Sequence, residues 1–253
     1  MSIGGALTSE IFLTYVIIVG SVLVLAGVAL AALRATGRNV TGPALTYRGW
    51  LIMVPIVLGT IFLGRSATIL GIGALAAIGF KEFAKATGLY RDWWLTGVVY
   101  AGIAALAAAS LATDPRLARP GWYGLFMAMP VYVIGAILLI PILRNRAKGQ
   151  LQQVALSLLG FIYFGWMLSH LGFLANTPNA YGYLLFLIFA VEINDVAAFT
   201  FGKLIGRHKL RENISPNKTV EGALGAIAVS LAIPWLLAFS LPGFAPLQLV
   251  LAG

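Results

Sequence analysis

The sequence of 253 residues contains no cysteine and only two histidines, His170 and His208. The missing cysteines exclude disulfide bonds, thiolate metal centres and cysteine nucleophiles, and two imidazoles argue against a zinc site built from histidine. Charged residues are also scarce, at 10% of the chain, and only eight residues are acidic. Any bound metal ion would therefore be held by oxygen ligands.

Hydrophobic residues make up 60% of the chain, and its mean hydropathy is +0.93. This balance is typical of membrane proteins, and runs of about 20 apolar residues are long enough to cross a bilayer. We therefore expect an all-α polytopic integral membrane protein, a single transmembrane domain over residues 1–253 with about eight transmembrane or partly re-entrant helices. The predicted helices cover residues 12–33, 50–63, 66–80, 93–112, 122–143, 151–174, 181–201 and 223–241.

Two of these runs, 50–63 and 66–80, are short for a span. They are either a pair of spans or one helical hairpin that only partly enters the membrane. The first run has no basic residue before it and no cleavage site after it, so we expect it to be retained as a span rather than removed as a signal peptide.

The basic residues predict the orientation of the chain. Of the 17 lysines and arginines, 14 fall in four connections: 34–48, 81–92, 144–150 and 202–222. The positive-inside rule places these four connections in the cytoplasm and the N-terminus outside. The net charge of +9 is then explained by the basic cytoplasmic connections of a membrane protein, and we do not expect nucleic-acid binding. The predicted location is a bacterial inner membrane.

Acidic residues cluster late in the chain, where four of the eight lie within 30 residues: Glu192, Asp195, Glu212 and Glu221. Glu192 and Asp195 are three residues apart, so on a helix they share a face near the cytoplasmic end of the run 181–201. An ionisable residue within a span indicates a functional site by default. The alternative is a simple ion pair at the interface with Lys203 or Arg207.

The predicted cytoplasmic loop 202–222 is basic and carries the sequence Ser-Pro-Asn-Lys-Thr at residues 215–219. Pro216 suits the first turn of a helix, and Ser215 before it suits the capping position. A helix that begins there would point its free N–H groups at the cytoplasm, which favours anions. The loop therefore predicts a site for phosphate and a divalent metal; the alternative is a basic loop that only sets topology.

Residues 194–226, NDVAAFTFGKLIGRHKLRENISPNKTVEGALGA, resemble the central region of the phosphatidate cytidylyltransferases, the CDP-diacylglycerol synthases. In that family an aspartate segment leads into a Gly-Lys/Arg-x-x-Gly-x-His-x-Leu stretch and a Ser-Pro-x-Lys-Thr-x-x-Gly element. The matching residues are Asp195, Gly202, Lys203, Gly206, His208, Leu210, Ser215, Pro216, Lys218, Thr219 and Gly222. Residues 80–88 and 163–174 are similar to other parts of the family more loosely.

The resemblance implies transfer of the cytidylyl group of CTP to phosphatidate, giving CDP-diacylglycerol and pyrophosphate, with 202–222 as the catalytic loop. Expected partners are CTP, phosphatidate and membrane lipid, with a homodimer as an option, and the expected cofactor is Mg²⁺, with a second cation as an option. Asp195 is the expected metal ligand, and Glu221 a weaker one. The expected catalytic residues are Asp195, Lys218 and Ser215. The expected phosphate-binding residues are Lys203, Arg207, His208, Ser215, Asn217, Lys218 and Thr219.

The sequence departs from the family pattern in two places. Phe199 stands where family members commonly have tyrosine, and the downstream carboxylate cluster that supplies metal ligands in the family is absent. The second departure favours a C-terminally truncated member. Two other functions stay open: a CTP-dependent polyprenol or lipid kinase, and a transporter or scaffold without catalytic activity.

Overall fold

The computed structural model describes residues 1–146 and 148–253, and most of the described chain is helical. Seven helices are long and apolar enough to cross a membrane, and a further apolar helix, Val220–Leu236, has 17 residues. The all-α polytopic prediction is therefore confirmed. In chain order the helices are α1 (Ile3–Thr8), α2 (Glu10–Ala35), α3 (Thr41–Phe62), α4 (Arg65–Ala86), α5 (Trp93–Leu111), α6 (Tyr123–Leu143), α7 (Gln150–Asn176), α8 (Ala180–Leu204), α9 (Val220–Leu236) and α10 (Pro246–Ala252).

The two short runs belong to longer helices than the hydropathy predicts. Helices α3 and α4 have 22 residues each and are joined by a turn at Gly64, whose φ of 100° favours glycine. Each helix extends past its apolar run through polar residues, Arg48 in α3 and Lys81 in α4. Long basic side chains can lie along a helix and reach the membrane surface, so a helix outlasts its hydrophobic stretch.

The chain forms two compact units, although the sequence shows no internal boundary. Unit 1 contains Met1–Leu7 and Gly20–Ala180, and unit 2 contains Thr8–Val19 and Tyr181–Gly253. Large apolar side chains are exposed along the helices of both units, for example Val131 and Leu236. Such surfaces suit contact with lipid rather than water.

Unit 1 has its core between α4, α5, α6 and α7, where Phe80, Phe126 and Phe161 are fully buried. Small residues allow these rings to lie close to the neighbouring helices. A Cβ atom on Gly102 would approach the Phe161 ring to 2.8 Å, and one on Gly160 would approach the Phe80 ring to 2.7 Å. Close packing of this kind replaces the hydrophobic effect as the force between helices in lipid.

Helix α7 is not α-helical throughout. It begins as an α-helix over Gln150–Gly160, turns π-helical over Phe161–Met167, and returns to α-helix over Leu168–Phe173 before a final 3₁₀ turn at Leu174–Asn176. The π segment carries the buried Phe161 and Gly165 that pack in the core of unit 1.

Polar contacts fix the two ends of α5. At its C-terminal end, Arg65 donates to the carbonyls of Ser110 and Leu111 at 2.9 and 2.8 Å and to Asn176 Oδ1 at 2.6 Å. At its N-terminal end, Asp92 accepts from the backbone N–H of Leu95. Arg65 therefore lies at the opposite end of α5 from Asp92 and its partner Arg144.

Replacing Arg65 with methionine should destabilise the protein, because two carbonyls at the end of α5 would lose a charged donor. We expect a loss of about 1.5–3 kcal/mol, seen as a lower midpoint of thermal unfolding in detergent by circular dichroism. Arg116→Met is the matched control, because it removes the same charge from an exposed loop. Equal midpoints for the two variants would contradict this role of Arg65.

In unit 2, residues of α2 pack against α8 and the 3₁₀ turn Ala238–Ser240. Tyr15 is 1% exposed, and its hydroxyl lies 2.7 Å from Ser240 Oγ. Its ring contacts Phe189 edge-on at 5.5 Å between centroids. A second edge-on pair joins Phe12 and Tyr181. These contacts support α8, which carries the candidate functional carboxylates.

Candidate functional site

A two-stranded hairpin follows α8, and the sequence does not predict it. Strands β1 (Lys209–Arg211) and β2 (Ser215–Thr219) pair antiparallel, with Lys209 opposite Thr219 and Arg211 opposite Ser215. The register shifts between these two pairs, so the pairing is irregular there. The Lys209 ammonium also donates to the carbonyl of Pro216. The hairpin thus brings two cations beside two hydroxyl-bearing residues of the predicted phosphate site.

The expected helix start at Ser215 is wrong, because residues 215–219 are extended and α9 begins at Val220. Thr219 is the capping residue: its hydroxyl oxygen accepts from the N–H of Gly222 at 3.1 Å. Both Ser215 and Thr219 suit a cap. Cross-strand pairing keeps Ser215 extended, while Thr219 is β-branched and takes the extended backbone that a cap requires.

Glycines let the end of α8 approach the start of α9. A Cβ atom on Gly222 would lie 2.7 Å from the carbonyl oxygen of Ala198 and 3.1 Å from the Cα of Gly202. One on Gly206 would collide with the carbonyl oxygen of Gly202 and lie 2.8 Å from Thr219 Oγ1. Gly202, Gly206 and Gly222, the three motif glycines, therefore have a structural role, because they allow backbone contact around the capped helix start.

Glu221 joins the loop to the first turn of α9, before the apolar part of that helix. Its carboxylate accepts from the backbone N–H of Arg207 at 3.1 Å and of His208 at 3.2 Å. The His208 Nδ1 atom lies 2.6 Å from Glu221 Oε1. Since a carboxylate only accepts, Nδ1 carries the hydrogen. The pKa of Glu221 is lowered to about 2, mainly by the hydrogen bond with the His208 imidazole and further by hydrogen bonds from backbone N–H groups.

The predicted metal ligand Asp195 is exposed on α8, one turn from the half-buried Glu192. Within residues 1–146 and 148–253, no three His, Asp or Glu side chains lie close enough together to hold a metal ion. Asp195 and Glu221 are therefore not gathered into a ready-made three-ligand site. The Glu221 carboxylate has His208 as its neighbour, and its metal role stays a prediction.

The remaining predicted residues lie around the hairpin. Lys203 is in the last turn of α8, with its ammonium 5.7 Å from the centroid of the Phe199 ring. Asn217 and Lys218 are exposed in β2, and the backbone of Arg207 is tied to Glu221. The loop and hairpin thus gather five cations and two carboxylates over residues 202–222.

One contact within the site escaped the sequence analysis. Ser230 in α9 donates to Asn194 Oδ1 in α8 at 3.0 Å, next to Asp195. This bond fixes the neighbour of the candidate metal ligand against α9. Asn194 begins the motif-bearing stretch 194–226, but its partner lies 36 residues away, and a single sequence gives no signal for such a pair.

The fold and these residues define a polytopic membrane protein that presents a basic hairpin between two helices, one of which carries paired carboxylates. The family model described as "Cytidylyltransferase family" matches residues 46–253, and the chain belongs to this family. The expected membership is confirmed, and with it the class of enzyme, a nucleotidyltransferase.

Curated relatives agree with the family. The chain is 28% identical over 189 residues to the phosphatidate cytidylyltransferase of Staphylococcus haemolyticus (strain JCSC1435), covering 75% of this chain and 68% of the relative. It is 29% identical over 120 residues to the phosphatidate cytidylyltransferase of Staphylococcus aureus (strain COL), covering 47% of this chain and 45% of the relative. The matches thus span from under half to about two thirds of these relatives. No solved structure matches the chain.

Substituting Gly222 with alanine should disrupt the contact between α8 and α9, because the new methyl group would press on the backbone of Ala198 and Gly202. We expect a destabilisation of about 1–3 kcal/mol, measured by thermal unfolding in detergent. Gly97→Ala in α5 is the control, since a Cβ atom there meets nothing within 4 Å. A Gly222→Ala protein as stable as the control would refute the close approach.

The local stability of residues 207–222 should depend on pH. Because the folded-state pKa of Glu221 is lowered from 4.5 to about 2, its stabilisation is complete above pH 4.5 and is lost as the pH falls toward 2. Hydrogen exchange of residues 207–222, corrected for the intrinsic rate, should show falling protection over this range. In Glu221→Gln the protection should already be low at pH 6. Glu212→Gln, in the turn of the same hairpin, should behave as wild type; otherwise the effect does not belong to Glu221.

Proposed function

We propose that the chain transfers the cytidylyl group of CTP to phosphatidate, giving CDP-diacylglycerol and pyrophosphate. The observation that carries the proposal is the hairpin 209–219, which presents two lysines, one arginine and two hydroxyl-bearing residues at a capped helix start, in a chain of the cytidylyltransferase family. The curated relatives named phosphatidate cytidylyltransferase support the choice of lipid substrate.

Charge explains why this arrangement suits the reaction. Both reactants are anions, so bringing them together requires cations that offset their repulsion. Lys218, Lys209 and Arg211 lie on the hairpin, and all three residues are exposed. In our proposal Lys218 and Lys203 bind phosphates. Arg207, His208, Ser215, Asn217 and Thr219 supply further donors.

In the proposed reaction, an ionised phosphate oxygen of phosphatidate attacks the α-phosphorus of CTP in line. A new phosphorus–oxygen bond forms, and the bond from the α-phosphorus to the bridging oxygen breaks. Pyrophosphate leaves with that electron pair. The attacking oxygen is already ionised, so no general base is needed, and the protein contributes positioning and charge. His208 accordingly serves as a binding or loop-holding residue rather than as a base.

Mg²⁺ is proposed as the cofactor, and the residues present suit it in a limited way. The described chain offers paired carboxylates on one helix face rather than a cage of ligands. Mg²⁺ commonly binds through one or two carboxylates together with substrate phosphates and water. Asp195 would hold the ion directly or through water. When bound, Mg²⁺ would neutralise charge on the triphosphate.

The proposed orientation has the N-terminus outside and the hairpin at the cytoplasmic face of a bacterial inner membrane. Support comes from the density of lysine and arginine in residues 202–222 and in the other three basic connections. A cytoplasmic site would also meet CTP where nucleotides are made. A homodimer stays a prediction.

The deciding experiment is product analysis with the purified chain, phosphatidate, Mg²⁺ and CTP labelled at the α-phosphorus. We expect label in CDP-diacylglycerol, and a loss of about 10²–10³-fold in rate for Lys218→Ala, as when one charged donor to a transition state is removed. Asp195→Asn should lower the rate and raise the Mg²⁺ concentration needed. Arg116→Ala, in a connection outside the site, is the matched control.

CTP labelled at the γ-phosphorus separates the alternatives. Label that appears in a lipid phosphate would replace the proposal with a lipid kinase. Binding of phosphatidate without any labelled lipid product, and without effect of Asp195→Asn or Lys218→Ala, would indicate a scaffold or transporter.

A further inference from the structure

A polar cavity lies at one end of unit 1, formed by residues that the proposed reaction does not use. Residues around the end of α4 and the start of α5, together with residues around the end of α6 and the start of α7, line an open cavity of about 500 Å³. Its walls include Arg91, Asp92 and Trp93 from the first connection and the start of α5. Arg144, Arg146, Gly149, Gln150 and Gln153 form the other side.

The cavity carries excess positive charge. Its three arginines face a single carboxylate, Asp92, which lies 2.6 Å from Arg144 and also caps α5 through the N–H of Leu95. Asp92 therefore neutralises Arg144 and fixes its position. Within residues 1–146 and 148–253, neither Arg91 nor Arg146 has an ion-pair partner. Two guanidinium groups remain at the cavity for an anion.

The start of α7 adds to this potential. Gly149 precedes the helix with a φ of 75°, and no side chain caps the first turn. The free N–H groups at a helix start favour negative charge, and phosphate above all. The rest of α7 is anchored in the core of unit 1, so this end is held in place at the cavity.

Two glutamines on the same wall lack hydrogen-bond partners. In the described structure the Oε1 atoms of Gln150 and Gln153 are buried, and neither accepts a hydrogen bond. Buried polar atoms are normally paired, and an unpaired one calls for an explanation such as a missing ligand. Carboxamide oxygens accept from hydroxyl groups, so these residues favour a ligand that carries hydroxyls beside its negative charge.

Two exposed tryptophans lie beside the cavity. Trp93 and the neighbouring Trp94 are 69% and 45% exposed, and their rings are 4.7 Å apart. Exposed tryptophans at the end of a membrane helix mark the interface where lipid headgroups lie. This position favours a ligand that belongs to the bilayer over one dissolved in water.

We propose that this cavity binds the phosphate of an anionic phospholipid whose headgroup carries free hydroxyls. Arg91, Arg146 and the first turn of α7 contact the phosphate, and Gln150 and Gln153 accept from the hydroxyls. The same phosphate chemistry could be supplied by a soluble phosphate ester, and the experiment separates these two sources. The site is built by unit 1 alone, and its test needs neither CTP nor turnover.

The test is equilibrium binding of short-chain lipids to the full chain in uncharged detergent. Dihexanoyl phosphatidylglycerol should bind, and dihexanoyl phosphatidylcholine, which has no net charge, should not. Arg91→Gln with Arg146→Gln should weaken phosphatidylglycerol binding by about tenfold or more, as expected for two lost charge-assisted contacts. Arg116→Gln with Arg119→Gln removes the same net charge elsewhere and should leave the affinity within about twofold of wild type.

The glutamines have their own test, which keeps the charge of the cavity intact. Gln153→Leu should weaken binding of phosphatidylglycerol but not of phosphatidylmethanol, a phosphodiester lipid without a free hydroxyl. If the arginine variant fails to fold, as judged by circular dichroism, this comparison still decides the proposal. Equal weakening of both lipids would overturn the assignment of the hydroxyls.

Three results would overturn the proposal. The first is equal affinity in the wild type and the Arg91/Arg146 variant, and the second is equal loss in the two charge-matched variants, which would show unspecific attraction. The third is equal binding of phosphatidylcholine. Displacement of the lipid by glycerol 3-phosphate at the same concentration would overturn the lipid as the source of the phosphate and assign the cavity to a soluble ester.

Discussion

The close approach between the end of α8 and the start of α9 determines how the candidate site is built. Gly222 lies against the backbone of Ala198 and Gly202, where no side chain could fit. This contact sets the position at which α9 begins, and it places the Thr219 cap and the hairpin base against the last turn of α8. Asp195 lies on the preceding turns of the same helix. Hairpin and carboxylate thus share one rigid support, formed by backbone contact rather than by long side chains.

Glu221 then determines which charges remain for a ligand. Its carboxylate accepts from two backbone N–H groups and the His208 imidazole, so it stabilises the loop without pairing with a lysine. Among the residues that the structure describes, Lys203, Lys218 and Arg211 form no ion pair. A loop of this composition would be unstable if its own cations had to hold it together. One carboxylate bound to backbone groups avoids that conflict.

Sequence reasoning succeeds where the physical signal is long or dense. Apolar runs predict the membrane helices, and the cluster of motif residues over 194–226 predicts the family. It fails where two local preferences compete: both Ser215 and Thr219 suit a helix cap, and only cross-strand pairing with β1 decides between them. Contacts between residues far apart in the chain, such as Arg65 with Asn176 or Asn194 with Ser230, produce no pattern of residue spacing in the sequence. Hydropathy also underestimates the lengths of α3 and α4, because both helices continue through polar residues beyond their apolar runs.

The hairpin has a dynamic consequence that follows from its size. Two short strands form a marginal sheet, and six of their eight residues are exposed. Its tip can open without separating α8 from α9, since the motif glycines and the Thr219 cap lie at its base. Opening of the tip is then a local event of low free energy. The polar loop can fluctuate on its own timescale while the helical body beneath it stays closed.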